Sequence, residues 1–340
     1  MVRFRPKFFI LEEFILLSGS GSIVYQTEKM VKKIVCCRLT INLFDKVCPS
    51  LESIPKSPIF RDRSENFEWI TSIYPNKFCP MNYFREKIEL KNGCAEFIKI
   101  QTNEQNSLTR TNLIELEEIL KEIQADESIR AAVLTSDNEK FFSNGVDAEN
   151  ILNTPRVKLT EEMGQIVLSF GQMLRFDKPL LAEVTGYAMG GGAVMTLACD
   201  FRYMLEGKGR IAFTEILVGL PLPLTFIERL RETVDPRCLN EMCLLGKLYK
   251  ATEAKETNLI NEVASTRIDL RKIVIKKLEE VMGIAPSAYR RTKQAMNKAV
   301  LSRFEENLTF TKKSLEDPIV VSNLLEAMTA LKEKRRPKLV

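Results

Sequence analysis

Apolar and polar positions along the chain change their period several times, and each change marks an element. In KIELKNGCAEFIKI (87–100), two strand-like runs flank Asn92-Gly93, which predicts a hairpin. In TNLIELEEILKEIQAD (111–126), Leu113, Leu116, Ile119, Leu120 and Ile123 recur at helical spacing. AAVLTS (131–136) is a short, nearly continuous apolar run, the pattern of a strand covered on both faces. EEMGQIVLSFGQMLRF (161–176) reads as a helix. PLLAEVTG (179–186) reads as another strand, followed by a glycine run and a helix that begins near Gly191. DFRYML (200–205) and GRIAF (209–213) are further strands, and from about residue 270 the pattern is almost purely helical. This order predicts an α/β fold with a helical tail.

Residues 1–80 show no clear repeating pattern, and Pro49, Pro55, Pro58, Pro75 and Pro80 punctuate their later part. The start, MVRFRPKFFILEEFILLSGSGS, has the basic head of a signal peptide, but Glu12 and Glu13 interrupt its apolar stretch, and a secretory reading is disfavoured. No other stretch reaches the roughly 18 uncharged apolar residues of a spanning helix. The final RRPKLV lacks a peroxisomal SKL-type address.

Composition narrows the chemistry. The formal charge of the 340 residues is +5, of which +4 falls within residues 1–80. The rest shows no broad nucleic-acid footprint. There is no histidine, which excludes a Ser-His-Asp triad, a Cys-His dyad, His-ligated metals and an imidazole base. Acid–base work falls to Asp, Glu, Lys, Tyr or Cys. The eight cysteines (Cys36, Cys37, Cys48, Cys79, Cys94, Cys199, Cys238 and Cys243) form no CxxC pair. We therefore expect no metal site and a reducing, cytoplasmic setting.

GYAMGGGAVMTLACD (186–200) places Gly190, Gly191 and Gly192 where a strand gives way to a helix. The first N–H groups of a helix lack intrahelical partners and sit at its positive end. A phosphate cradle would want GxxxxGK[ST] or GxGxxG, and neither is present. Two readings stay open: small residues that seat a helix on a sheet, or N–H donors that hold a developing negative charge. A second donor would come from KFFSNGVD (140–147), which follows AAVLTS and has its own glycine, Gly145. If the two strands are neighbours in one parallel sheet, both turns open on the side where α/β folds place their sites.

Taken with FFSNGVD and KPLLAEVTGYAMGGGAVMTLACDFRYM, the stretches GRIAFTEILVGLPLP, LLGKLYKATEAKETNLINEV and APSAYRRTKQAM occur in the order and spacing of the crotonase superfamily. The chain resembles its enoyl-CoA hydratases and isomerases over about residues 84–340. The resemblance implies a ClpP/crotonase-like α/β fold of repeated ββα units, with C-terminal helices that mediate a homotrimer or hexamer. It divides the chain into an extension at 1–80, a catalytic core at 81–270 and a helical region at 271–340. The extension is expected to be a poorly ordered tail or upstream sequence foreign to the native protein. The implied substrate is an acyl-CoA thioester, with coenzyme A as part of the substrate and no separate cofactor, nucleic acid or membrane involved. Carried over residue by residue, the oxyanion donors are the N–H groups of Val146 and Gly191. Asn144, Gly145, Gly190, Gly192 and Leu220 surround them. Asn106, Ser107, Leu108 and Asp147 are implied coenzyme contacts, as are the basic Lys293 and Lys334, with basic residues often supplied by a neighbouring subunit.

The resemblance also narrows the reaction. Hydratases resemble a two-Glu machine, with one Glu two residues after the third glycine; here that position is Val194. The second carboxylate position, before an hLhG turn, is Glu215 in FTEILVG. One Glu at the second position looks like the Δ3,Δ2-enoyl-CoA isomerases, which need one base to move a proton from C2 to C4. Phe213, Ile216 and Leu217 are expected to desolvate Glu215 partly and raise its basicity. GLPLPLTFIERL replaces the glycine-rich stretch of hydratases with bulky residues suited to an apolar acyl pocket. The alternatives are a 2-enoyl-CoA hydratase, with Glu183 as the candidate second acid, and a non-catalytic acyl-CoA- or RNA-binding homologue. Asp147 is expected to cap the following helix, Tyr187 to pack, and Asn258 to take the left-handed cap conformation.

Overall fold

The protein is represented by a computed structural model, which describes residues 82–340. The readings made for residues 1–80, and for Met81, lie outside the described residues.

Strands β1 (Tyr83–Leu90) and β2 (Gly93–Ile100) form the predicted hairpin. Leu90 pairs with Gly93, so the two-residue turn is Lys91-Asn92, one position earlier than the Asn92-Gly93 signal. Gly93 itself takes a positive φ of 121° as the first residue of the returning strand. Helix α1 (Arg110–Ala125) follows, capped by Thr109, whose side chain accepts from the Asn112 N–H. The five apolar residues read at helical spacing are its buried face.

The chain then repeats one unit three times. A longer strand enters a large sheet, a three-residue strand enters a small one, and a helical segment returns. The strand pairs are β3 (Ile129–Thr135) with β4 (Phe141–Ser143), β5 (Leu180–Val184) with β6 (Tyr187–Met189), and β7 (Phe201–Leu205) with β8 (Arg210–Ala212). The returns are α2 (Ala148–Asn153) and α3 (Arg156–Arg175), then α4 (Gly191–Ala198), then a 3-10 turn (Glu215–Val218) with α5 (Leu224–Thr233) and α6 (Pro236–Leu245). After β9 (Tyr249–Lys250), α7 (Ala251–Glu256) and β10 (Glu262–Ala264), the tail runs α8 (Arg267–Met282), α9 (Pro286–Ser302), α10 (Phe304–Glu316) and α11 (Pro318–Lys332). The large sheet is ordered β1-β2-β3-β5-β7-β10 and the small one β4-β6-β8-β9. This is the expected α/β architecture of ββα repeats. Strands β4 and β6 were not foreseen, because three residues are too few to show a period.

Side chains alternate across the large sheet. Ile98, Leu134, Ala182 and Met204 face the main core with α1, α3 and α4. Phe97, Val133, Leu181 and Tyr203 face the other way and are covered by Leu270, Val274 and Leu278 of α8. Each fully buried Leu or Val of this layer contributes about 1.5–3 kcal/mol relative to exposure. Both layers hold the parallel strands rigid, so the turns at their C-terminal ends have fixed positions. Asn258 has the expected left-handed backbone, with φ 63°.

Candidate active site

Strands β4 and β6 are parallel neighbours in the small sheet, so the chain leaves both at the same edge. The first exit is Asn144-Gly145-Val146 and the second is Gly190-Gly191. Leu108 and Val146 form a single parallel bridge. The Leu108 N–H donates to the Gly145 carbonyl at 2.7 Å, and the Asp147 N–H donates to the Leu108 carbonyl at 2.9 Å. Successive peptide groups of an extended chain point to opposite sides. The Val146 N–H is therefore turned away from Leu108, toward the cavity that Val146 lines.

The glycine run has three separate reasons. Gly190 has φ 49° and ψ −119°, a conformation open to glycine. Gly191 is the first residue of α4, so its N–H has no intrahelical acceptor, and Gly190 has no side chain to cap it. A side chain on Gly192 would be driven into the Ser143 carbonyl, so this glycine seats α4 against β4. The packing reading and the donor reading thus hold for neighbouring residues. The two exits lie side by side: a Cβ on Gly145 would stand 3.3 Å from the Gly191 nitrogen.

Glu215 opens the 3-10 turn just beyond β8. The residue is half-buried, but its Oε2 is sealed from solvent and has no hydrogen-bond partner among the described residues. Its Oε1 lies 3.7 Å from where a Cβ on Gly190 would stand, so the carboxylate faces the glycine turn. Burial pushes its pKa up to about 7, and a hydrogen bond from its own backbone opposes this. Such a group can both take and return a proton near neutrality.

These groups share one cavity of about 270 Å³. Asn144, Gly145, Val146, Gly190, Gly191 and Glu215 line its polar end. Leu220, Pro221, Leu222 and Pro223 form one wall, as the bulky stretch after Glu215 led us to expect. Among the described residues, Glu215 is the one ionisable side chain of the lining. Val194, fully buried in α4, is not part of it. A second cavity of about 180 Å³, near Asn103, Asn106 and Asn138, has those three amides occupied in holding loops together.

Other predicted contacts stand outside the lining. Asn106, with φ 51°, donates to Ser136 Oγ at 2.8 Å and accepts at its carbonyl from Ser143 Oγ at 2.7 Å. Ser107 accepts at its carbonyl from Thr102 and Asn112 side chains. Leu108 braces the Gly191 turn from behind. These three position the first exit. Asp147 caps α2 by accepting from the Asn150 N–H at 2.8 Å, as expected. Lys334 is exposed, three residues past the cavity residue Leu331.

Two candidates are corrected. Lys293 is only 5% exposed, and its Nζ donates to Asp200 Oδ2 at 2.8 Å and to the Lys178 carbonyl at 3.0 Å. Asp200 also accepts from the Leu180 N–H, at the N-terminal end of β5. Lys293 therefore braces the sheet edge opposite the cavity and does not meet a ligand there. Glu183, the candidate second acid, points to the α8 face. Arg271 of α8 holds it with two bonds of 2.8 Å, and Thr135 Oγ1 donates to it at 2.7 Å. It is the partnered buried carboxylate that burial demands.

The sequence reading missed the tail's share in the site. Phe310, Thr311, Ser314 and Leu315 of α10 and Met328 and Leu331 of α11 line the cavity of their own chain. The only signal was their helical spacing, which does not say where a helix packs.

Comparison with known proteins agrees with this architecture. A family profile described as enoyl-CoA hydratase/isomerase matches residues 89–339. A short-chain-enoyl-CoA hydratase of Clostridium acetobutylicum is 27% identical over 233 residues, covering 68% of this chain and 88% of the relative. A mitochondrial enoyl-CoA hydratase of Pongo abelii is 28% identical over 231 residues, covering 68% and 78%. Among solved structures, the human mitochondrial delta3-delta2-enoyl-CoA isomerase superposes with a TM-score of 0.69 at 21% identity, covering 74% of this chain and 99% of that one, a likeness of fold. With the family profile matched over most of its length and its ββα repeats in place, the chain belongs to the enoyl-CoA hydratase/isomerase family of the crotonase superfamily.

Proposed function

We propose that this protein is a Δ3,Δ2-enoyl-CoA isomerase that moves the double bond of a 3-enoyl thioester to the trans-2 position. The observation that carries the reading is Glu215, the single ionisable group of the cavity among the described residues, beside the backbone N–H groups of Val146 and Gly191, which have no acceptor among those residues. The thioester oxygen sits between the N–H groups of Val146 and Gly191. The Glu215 carboxylate takes a proton from C2, and the electrons of that bond pass into a dienolate whose negative charge rests on the thioester oxygen. The carboxylic acid then returns the proton to C4, and the double bond is left between C2 and C3. Each oxyanion donor contributes roughly 10²–10³ in rate. The chemistry draws on no group beyond the substrate and these residues. Hydration would need a second carboxylate to manage water, and that position holds Val194.

The names of the relatives favour a second reading, 2-enoyl-CoA hydratase. Purified protein given a 3-enoyl-CoA and, separately, a 2-enoyl-CoA distinguishes them. The isomerase reading expects trans-2-enoyl-CoA from the first and little 3-hydroxyacyl-CoA from the second. Hydration that outpaces isomerisation would reject it. The base must be ionised to act, so kcat/KM should fall about tenfold per pH unit below about 7 and level off above it.

We propose that the protein forms a homotrimer or a hexamer. Leu217, Leu244, Leu245 and Leu248 support this as an exposed apolar group beside the 3-10 turn. The free thiols of Cys94, Cys199, Cys238 and Cys243 accord with a reducing, cytoplasmic setting.

A further inference from the structure

From the shape and chemistry of the cavity beyond Glu215, we infer that the enzyme selects thioesters of unsubstituted, straight, medium-length acyl chains. This rests on the coenzyme A thioester reading above and adds the acyl class to it. The cavity wall away from the polar end is Met163, Ile166, Val167, Phe226, Leu315 and Met328, all apolar. Thr214 belongs to the polar end, with its Oγ1 3.1 Å from where a Cβ on Gly190 would stand; away from that end two hydroxyl residues reach the lining, Thr311 and Ser314. Both spend their one donor on their own helix: Thr311 Oγ1 donates to the Asn307 carbonyl at 2.9 Å, and Ser314 Oγ donates to the Phe310 carbonyl at 3.1 Å. A hydroxyl or carboxyl on the acyl tail would lose its water there and find no free donor among the described residues in return, which costs affinity.

The cavity also has a floor. Val167 and Phe226 are each 1% exposed, and Phe226 is wedged edge-on against Phe170 with ring centroids 4.9 Å apart. Its rim is Phe310 and Leu331, 59% and 57% exposed. The volume of about 270 Å³ holds about nine water-sized groups of about 30 Å³ each. Room for the thioester head leaves acyl groups of about six to eight carbons as the best fill. Longer chains must bend back to the rim, and shorter ones leave apolar space empty.

Binding of saturated acyl-CoAs from butanoyl to palmitoyl, measured by calorimetry, tests this without any turnover. Affinity should rise about fourfold per methylene, the value of burying one CH₂, up to about eight carbons and then stop rising. An ω-hydroxyoctanoyl-CoA should bind at least about tenfold more weakly than octanoyl-CoA. Ser314→Phe and Thr311→Leu each fill the cavity from α10. Each should move the break to shorter chains. Thermal melting identifies a folded variant, and one folded variant suffices. A flat dependence on chain length, a rise that continues to palmitoyl, equal binding of the ω-hydroxy probe, or a break that a folded variant leaves in place would overturn the inference. So would an absence of binding at every length. A clear break in a protein that does not isomerise 3-enoyl-CoA would uphold the inference and reject the proposed reaction instead.

Discussion

Glu215 is held in a state that folding alone would not choose. Its pKa is near 7 against the ordinary 4.5, so between those values the folded chain binds a proton that the unfolded chain releases. The contribution of Glu215 to stability is therefore complete below about pH 4.5 and is lost as the pH rises through about 7. Glu215→Gln keeps the shape and removes the ionisation. The variant should be more stable than the parent at pH 8 by on the order of 2–3 kcal/mol, with the gap closing near pH 4.5. Urea unfolding at the two pH values checks this, and an equal gap at both would refute the burial argument. The opposite case is Lys293. Its family position and charge marked it as a phosphate ligand, yet a single carboxylate, Asp200, and a carbonyl hold it inside. Charge is legible in a sequence, but the burial that decides its use is not.

At the scale of elements, the sequence showed the strands that are buried on both faces and the helices with a clear apolar stripe. It did not show β4 and β6, although these three-residue strands deliver Gly145-Val146 and Gly190-Gly191 to one edge. The glycines were legible because their demands are local. Gly190 needs its backbone conformation and Gly192 its close approach to Ser143, whichever fold surrounds them. Glu183 was ambiguous, because alternation along β5 has no fixed phase until α8 is placed over Leu181. With α8 in place, Glu183 and Arg271 tie that helix to the sheet. Glu183→Gln should lower stability by about 2–3 kcal/mol, as expected for loss of a buried charged hydrogen-bond pair. Because the pair lies across the sheet from the cavity, kcat at a temperature where the variant is folded should stay within about threefold. A much larger fall in kcat would return Glu183 to the mechanism.

For the whole molecule, the large sheet fixes the turns, the small sheet aligns the donors, and α10 and α11 close the cavity from the same chain. That closure is a long-range fact: Phe310 and Met328 are more than 90 residues from Glu215 in sequence, and nothing in their spacing names the partner. The exposed leucines beside the 3-10 turn lead to an expectation about assembly. Leu245→Glu should convert a trimer or hexamer to a smaller species in sedimentation equilibrium, and an unchanged mass would move the interface elsewhere. The central claim is that one buried carboxylate carries the proton. Its most direct test is the rate of trans-2-enoyl-CoA formation from a 3-enoyl-CoA by the parent and by Glu215→Gln at pH 8. The account predicts a fall in kcat of about 10²–10⁴, with acyl-CoA affinity kept within a few-fold. Retention of most of the parent rate in the variant would contradict it.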